Sequence, residues 1–193
     1  MIAVKKNATY ADLEKVPDTM IAQLIDGNLV TMPRPHPRHG AASNSLSSEI
    51  SPPYQKGRGG PGGWVFFDEP ELRVGIQVLV PDLVGFRRET LPELPKGNAF
   101  NICPDWICEV LSPSTQKYDR GAKMRIYRDW GVKHYWLLDP QLEFLEVYEN
   151  GGETFNQLAT FERGEDVCAA PFKDISFPLE DLFPFGPEEE SEK

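Results

Sequence analysis

Hydrophobic and polar positions divide the stretch from Asp105 to Pro140 into a strand, a helix and a second strand. Trp106 to Leu111 is apolar at every position except Glu109, and His134 to Leu138 forms a second short apolar run. The segment between them, from about Gln116 to Trp130, is amphipathic. Short apolar runs on either side of an amphipathic helix are typical of a strand, helix, strand unit. We therefore expect this unit to form the centre of the fold.

The predicted helix carries two lines of side chains at helical spacing. The polar line consists of Asp119, Lys123 and Tyr127. The apolar line consists of Ala122, Ile126 and Trp130, and we expect it to face the sheet. Lys123 then lies at the boundary between buried and exposed surface. On spacing alone, a solvated lysine paired with Asp119 is the favoured interpretation.

The strand that contains Glu109 is apolar on both faces, which is typical of a buried strand. Alternation places Glu109 on one face with Ile107 and Leu111, and places Trp106, Cys108 and Val110 on the other. A buried carboxylate is costly unless it is paired or binds a metal ion. A strand-end glutamate in water, or one paired with a nearby helix, is the alternative.

A second apolar run, Ile76 to Phe86, also contains a single charge, Asp82, and Pro81 predicts an edge, a break or a bulge in the strand there. If the two strands are neighbours, Asp82 and Glu109 predict a site for a divalent cation. Hard cations such as Mg²⁺ take carboxylate oxygens and keep several waters.

The N-terminal part predicts a hairpin followed by a helix. The apolar runs Met20 to Ile25 and Asn28 to Met32 flank Asp26-Gly27, a dipeptide typical of a tight turn. After a proline-rich segment, a helix is predicted from about Arg38 to Ile50, before two consecutive prolines. His39 lies at its start. A histidine there is most often structural or solvated, although a helix start facing a cleft can bind phosphate.

The other elements are shorter. Thr9 to Glu14 predicts a capped helix, and the remaining predicted elements are the strands Trp64 to Phe67, Glu71 to Val74, Glu143 to Tyr148, Thr154 to Phe161 and one near Val167, with a final short helix from Leu179 to Phe183.

Length, composition and charge indicate the number of domains and the classes of partner. The 193 residues predict one domain over 1–185, followed by an acidic, disordered tail over 186–193. No segment has the apolar composition of a signal peptide or membrane span, so we expect a cytoplasmic protein with no membrane partner. The formal charge of −10 argues against an indiscriminate nucleic-acid coat protein. It does not exclude a nuclease, in which acidic side chains hold divalent cations.

Several motifs together resemble the Uma2 family, formerly DUF820, which occurs in many cyanobacterial and other bacterial genomes. The resemblance extends from about Ala8 to Phe185. The motifs that support it are LIDGNLVTMP at Leu24 to Pro33, PRH at Pro37 to His39, VPDLVGF at Val80 to Phe86, EVLSPST at Glu109 to Thr115, and GVKHYWLLDP at Gly131 to Pro140.

The resemblance implies a PD-(D/E)XK, restriction-endonuclease-like fold of mixed α/β class. Its central mixed sheet is flanked by helices, with further antiparallel strands in the N- and C-terminal parts. It also implies a hydrolase that cleaves DNA with Mg²⁺ or Mn²⁺. Asp82 and Glu109 match the metal-binding acids. The usual lysine position is Leu111 here, and Lys123 on the following helix matches as the substitute. We assign Gln23, His39, Asp119 and Tyr127 as auxiliary residues.

The first hairpin departs from the family pattern. Family members commonly have glutamate where this chain has Gln23 and Asn28. If the first glutamate is a metal ligand, Gln23 keeps a carbonyl oxygen but loses the charge, and ion binding should weaken.

Three interpretations therefore remain. The first is a metal-dependent DNA endonuclease. The second is a nuclease-like fold that has lost catalysis and serves as a binding or regulatory module in a homodimer, which Gln23 and the net charge favour. The third is a different hydrolase that uses two carboxylates as acid and base, as in glycoside cleavage, and it ranks last because no sugar-binding aromatic pattern stands out.

Overall fold

A computed structural model describes residues 2–186 of the chain. The predicted acidic tail, except for Gly186, lies outside the described residues. Within 2–186, no helix is long and apolar enough to cross a membrane.

Fourteen strands and a few helical segments make up the described chain. The strands are β1 Ala3–Lys5, β2 Met20–Ile25, β3 Asn28–Pro33, β4 Trp64–Asp68, β5 Glu71–Val74, β6 Gln77–Leu79, β7 Leu83–Arg87, β8 Ala99–Phe100, β9 Trp106–Val110, β10 His134–Asp139, β11 Phe144–Asn150, β12 Phe155–Glu162, β13 Asp166–Val167 and β14 Phe177–Pro178. The α-helices are α1 Tyr10–Leu13, α2 Pro37–Ile50, α3 Gln116–Tyr118 and α4 Met124–Trp130. Wider, π-helical turns span Ser51–Gln55 and Asp119–Lys123, and a 3₁₀ turn spans Leu179–Leu182.

The strands form two six-stranded sheets and a small two-stranded one. The first sheet has the order β1-β3-β2-β6-β5-β8, and the second has the order β12-β11-β10-β9-β7-β4. In the second sheet β9 and β10 are parallel, whereas the other neighbours are antiparallel. This mixed α/β architecture confirms the predicted fold class.

Both faces of the second sheet are covered, as the apolar pattern of β9 predicts. Trp106, Cys108 and Val110 pack with the apolar side of α2. Ile107 packs on the opposite side, against apolar residues of the first sheet and of α4. The first sheet and α4 therefore lie on the face of β9 that also contains Glu109.

The β2–β3 hairpin forms as predicted. Its register pairs Ile25 with Asn28 across the turn residues Asp26 and Gly27, which both have positive φ, at 51° and 72°. This is the twist that a two-residue hairpin turn requires. The α2 helix also ends at Ile50 as predicted. The chain remains helical beyond it, however, because the prolines at 52 and 53 lie at the start of the next turn, where no amide donor is needed.

The run from Ile76 to Phe86 forms two strands rather than one. β6 belongs to the first sheet and β7 to the second, and the chain crosses between the sheets at Val80, Pro81 and Asp82. Proline cannot donate a ladder hydrogen bond, which is consistent with a break at this position. Asp82 therefore lies at the junction of the two sheets.

The buried side of the segment from Gln116 to Trp130 differs from the prediction. The polar line of Asp119, Lys123 and Tyr127 is buried against the sheet, whereas Ala122 and Trp130 are only partly buried. The apolar line packs on the core as expected, but the expectation that Lys123 lies at the boundary of the buried surface was wrong. Ile126 from the apolar line is buried as expected.

His134, the first residue of β10, should make stability depend on pH. Burial lowers the pKa of His134, and its Nδ1 atom is buried without a hydrogen-bond partner within residues 2–186. The folded state thus favours the neutral imidazole, and this part of the stability is lost as pH falls below the unfolded pKa of about 6.5.

We therefore expect the free energy of unfolding of the wild type to fall more steeply than that of His134→Gln between about pH 7.5 and about pH 5. Urea denaturation at several pH values would measure both slopes. Parallel slopes would contradict this role for His134.

Candidate active site

One cleft collects six of the seven residues selected from the sequence. It has a volume of about 380 Å³ and opens between the two sheets, the start of α2 and the segment that follows β9. The candidate residues that line it are Gln23, His39, Asp82, Glu109, Asp119 and Lys123. Tyr127 lies behind them, with its hydroxyl bonded to Glu109. Residues distant in sequence thus converge on one site.

Asp82 immediately precedes β7, and Glu109 lies on the neighbouring strand β9. β7 pairs with β9 so that Leu83 lies opposite Cys108, and Asp82 is the residue just before Leu83. One carboxylate oxygen of Asp82, Oδ2, accepts a hydrogen bond of 2.7 Å from the amide of Val110. The adjacency that the metal-site prediction requires is therefore present, and a backbone amide sets the orientation of Asp82.

Glu109 is buried and paired with the helical segment. Its Oε1 atom lies 2.6 Å from Nζ of Lys123 and accepts a 2.8 Å hydrogen bond from the hydroxyl of Tyr127. Both of these contacts are made through the same carboxylate oxygen, Oε1. The ion pair with a nearby helix, one of the alternatives for Glu109, is therefore present at the base of the cleft.

Lys123 is not the solvated lysine that its spacing favoured. Its side chain is 4% exposed, and Nζ contacts both Glu109 and, at 3.1 Å, Asp119. A buried ammonium requires such partners, because an isolated charge in the interior is costly. Lys123 lies at the end of the π-helical turn Asp119–Lys123. Turns of this kind are rare and frequently occur at functional sites.

The ionisable groups at the base of the cleft shift one another's pKa values. Burial raises the pKa of Glu109 well above its usual range, with Asp119 and Asp82 adding to the effect and Lys123 opposing it. Burial also raises the pKa of Asp119. For Lys123, burial lowers the pKa, but Glu109, Asp119 and Asp82 outweigh it and the net shift is upward. Lys123 thus contacts two of the three carboxylates, Glu109 and Asp119, and the mutual repulsion of the three favours protonation of Glu109 and Asp119.

This donor set fits a divalent cation held by two carboxylates. Within residues 2–186, no group of three His, Cys, Asp or Glu side chains is arranged to hold a metal ion. Mg²⁺ does not require three, because it is commonly bound by one or two carboxylates and keeps several waters. The repulsion from Asp82 and Asp119 that helps to raise the pKa of Glu109 is of the kind that such an ion would relieve.

His39 lies at the start of α2, as predicted. Its Nε2 atom is 3.4 Å from Oδ1 of Asp82. Burial lowers the pKa of His39, but the hydrogen bond and charge of Asp82 outweigh it, so the net shift is upward. A histidine in this position supplies a donor to the carboxylate oxygen that Val110 leaves unoccupied.

Gln23 is placed differently from the expectation for a metal-binding carbonyl. Its Oε1 atom accepts a 3.0 Å hydrogen bond from the amide of Val80, in the segment that crosses between the sheets. The carbonyl oxygen is therefore already engaged by the backbone.

The cleft also has a wall that was not selected from the sequence. It is formed mainly by apolar side chains, with two hydroxyl residues after β9; its members include Ile21, Met32, Pro113, Tyr118, Ser112 and Thr115. Four of these six residues lie in motifs that indicate the family, but none of the six carries a charge, so charge and spacing did not select them as site residues.

Comparison with known proteins agrees with this geometry. Residues 8–180 match the family Uma2, described as "Putative restriction endonuclease". The chain belongs to the Uma2 family. The match covers the hairpin, α2, both carboxylate strands and the helical segment with Lys123. Membership of Uma2 confirms the resemblance that the motifs indicated.

A solved structure supports the same assignment for this Uma2 chain. The crystal structure of a "putative nuclease belonging to DUF820" from Anabaena variabilis has a TM-score of 0.73 and 25% sequence identity, and the alignment covers 91% of this chain and 97% of that chain. No curated protein matches the chain. The structural neighbour confirms the predicted fold.

The ion pairs of Lys123 lead to a prediction for stability. Lys123→Met would leave Glu109 and Asp119 buried without their cation, and breaking a buried pair in this way costs about 3–5 kcal/mol. We expect a loss of this size in the free energy of unfolding, measured by urea denaturation in EDTA. Lys117→Met, at an exposed position of α3, is the matched control and should change stability by less than about 0.5 kcal/mol.

A second substitution tests the cause of that loss. Adding Glu109→Gln to Lys123→Met removes one of the unpaired buried charges, so part of the lost stability should return. If the double variant is no more stable than Lys123→Met, the unpaired charge of Glu109 is not the cause.

Proposed function

We propose that this Uma2 protein is a divalent-metal-dependent endonuclease that hydrolyses DNA phosphodiester bonds. The observation that carries the proposal is the convergence of Asp82, Glu109 and a buried lysine, Lys123, at the base of one cleft. Membership of a family described as "Putative restriction endonuclease" supports the same reaction class. In this proposal Asp82 and Glu109 hold the ion, which is Mg²⁺ or Mn²⁺.

The two carboxylates are suited to this task because each is fixed by a different neighbour. The amide of Val110 fixes Asp82, while Lys123 and Tyr127 hold Glu109 through a single oxygen, Oε1. A bound ion supplies Lewis acidity, which polarises the phosphate and lowers the pKa of a coordinated water. Oε2 of Glu109 is not used by these contacts, whereas Oδ1 of Asp82 also faces Nε2 of His39, 3.4 Å away.

Lys123 has two tasks in the proposal. It holds Glu109 in place by their 2.6 Å ion pair, and it places a positive charge where the negative charge of the reacting phosphate increases. Its pKa is raised by its acidic neighbours, so the ammonium keeps its proton. We therefore propose Lys123 as an electrostatic and positioning group rather than as a base. His39, beside Asp82, is proposed to orient that carboxylate.

The alternative is a Uma2 protein that binds a partner or DNA without cleaving it. It is favoured by the ion pairs that already engage Lys123 and one oxygen of Glu109, and by Gln23 in place of the family's usual glutamate. The predicted homodimer belongs to this alternative and stays a prediction.

Asp82→Asn tests the metal site. Asparagine retains an oxygen for the Val110 amide, so the fold should be preserved while the ligand charge is lost. We expect Mg²⁺ or Mn²⁺ affinity, measured by isothermal titration calorimetry, to fall by about 10-fold or more, in the range seen when a metal site is perturbed. Plasmid nicking should slow by about 100-fold or more, as when a group that stabilises the transition state is removed.

Asp68→Asn is the matched control. Asp68 is an exposed carboxylate at the end of β4, beside a groove that also reaches Asp82. It should leave ion affinity and nicking close to the wild-type values. Wild-type protein that binds the ion but does not nick DNA would favour the binding module, and equal ion affinity in Asp82→Asn and wild type would overturn the proposed site.

A further inference from the structure

Gln23 has one half of its side-chain amide fixed and the other half free. The residue is 3% exposed, on strand β2 of the first sheet. Its Oε1 atom accepts the hydrogen bond from the Val80 amide. Because the amide nitrogen of glutamine donates hydrogen bonds and cannot accept one, this contact determines which end of the amide faces Val80 and which end does not.

The other half of the amide, the Nε2 group, faces the cleft. Gln23 is one of the residues that line it, and Nε2 has no hydrogen-bond partner within residues 2–186. Nε2 is nevertheless not among the atoms sealed from solvent without a partner. It is therefore reached from the cleft, and a bound molecule can accept its hydrogen bonds.

The chemistry of this atom determines what it can bind. An amide N–H₂ group donates hydrogen bonds and has no lone pair to offer a cation. Nε2 of Gln23 thus cannot be a metal ligand, and Oε1 is occupied by Val80. Its partner must be an acceptor in a cleft whose base already carries the carboxylates of Asp82 and Glu109. A non-bridging oxygen of a phosphate group is an acceptor of this kind, and a metal ion between it and the carboxylates would reduce their repulsion.

We propose that Gln23 is a substrate-binding residue whose Nε2 donates a hydrogen bond to a non-bridging phosphate oxygen in the cleft. This inference rests on the proposed function, because the phosphate is that of the scissile nucleic acid. The inference also gives a function to the glutamine that this chain has where family members commonly have glutamate. Gln23 replaces a carboxylate that would repel phosphate with a donor that binds it, while its carbonyl oxygen supports the segment that leads to Asp82.

Two substitutions separate the donor from the other properties of Gln23. Gln23→Glu keeps an oxygen for the Val80 amide, removes the donor and adds a negative charge. Gln23→Met removes the donor without adding charge, although it leaves the Val80 amide without its acceptor. The matched control is Gln77→Glu. Gln77 also accepts a backbone hydrogen bond through Oε1, from Asp26, but it does not line the cleft.

The probe is inorganic phosphate, titrated by calorimetry into protein saturated with Mg²⁺. We expect Gln23→Glu and Gln23→Met both to bind phosphate about 10-fold to 100-fold more weakly than wild type, the loss expected for one hydrogen bond to a charged group. Gln77→Glu should bind it as the wild type does. Mg²⁺ affinity, titrated separately, should be unchanged in Gln23→Met and increased in Gln23→Glu, which adds a carboxylate to the cluster.

Each other outcome overturns the inference. If Gln23→Met binds phosphate like the wild type, the loss in Gln23→Glu is repulsion alone. If Gln23→Met loses Mg²⁺ and phosphate affinity together, Gln23 acts by supporting the Val80 segment. If the wild-type protein binds no phosphate, Nε2 of Gln23 is not a phosphate-binding group and the inference fails.

DNA nicking by the same variants distinguishes this inference from the proposed function. If the wild type and Gln23→Met nick DNA with equal KM and kcat, the inference about Gln23 is wrong and the proposed endonuclease function is supported. If phosphate binding depends on Gln23 but the wild type does not nick DNA, the phosphate-binding role of Gln23 is supported and the proposed endonuclease function is wrong.

Discussion

The buried contact between Lys123 and Glu109 is the constraint on which the site depends. A carboxylate inside an apolar strand would destabilise the fold unless a cation met it there, and the helical segment supplies that cation from the facing side. The same contact determines how the helix lies on the sheet, because Lys123 must point inward. Tyr127, one turn further along, then faces Glu109 as well. The same contact therefore both packs the helix on the sheet and positions the residues of the site.

Around this pair, backbone groups do much of the positioning. Val110, next to Glu109 on β9, donates its amide to Asp82, and Val80, two residues before Asp82, donates its amide to Gln23. Amides in or next to strands move little, so the cleft side chains are oriented by groups that the sheets hold rigidly. This arrangement suits a reaction in which an ion and a phosphate must meet in a defined geometry.

Much of the fold could be predicted from alternation and helical spacing. The strands β9 and β10, the hairpin at Asp26 and Gly27, and α2 all carry a strong local pattern, and the structure contains them. The two-residue strands β8 and β14 carry none, because two residues cannot show a period. The inward direction of Lys123 was also missed. Hydrophobicity ranks lysine as a surface residue, and its burial depends on Glu109, which lies on another element. Gln23 shows the same limit, since only the Val80 contact reveals which end of its amide is free.

The crossing at Val80, Pro81 and Asp82 has a consequence for the order in which the site forms during folding. Gln23 belongs to the first sheet, Glu109 to the second, and Asp82 lies on the chain that joins them. Neither sheet alone contains the cleft, so the two must dock before the acidic residues and the amide donor face one another. The free energy of that docking opposes the repulsion among the carboxylates. An ion that binds between them therefore favours the docked state and acts as a late stabiliser of the whole domain.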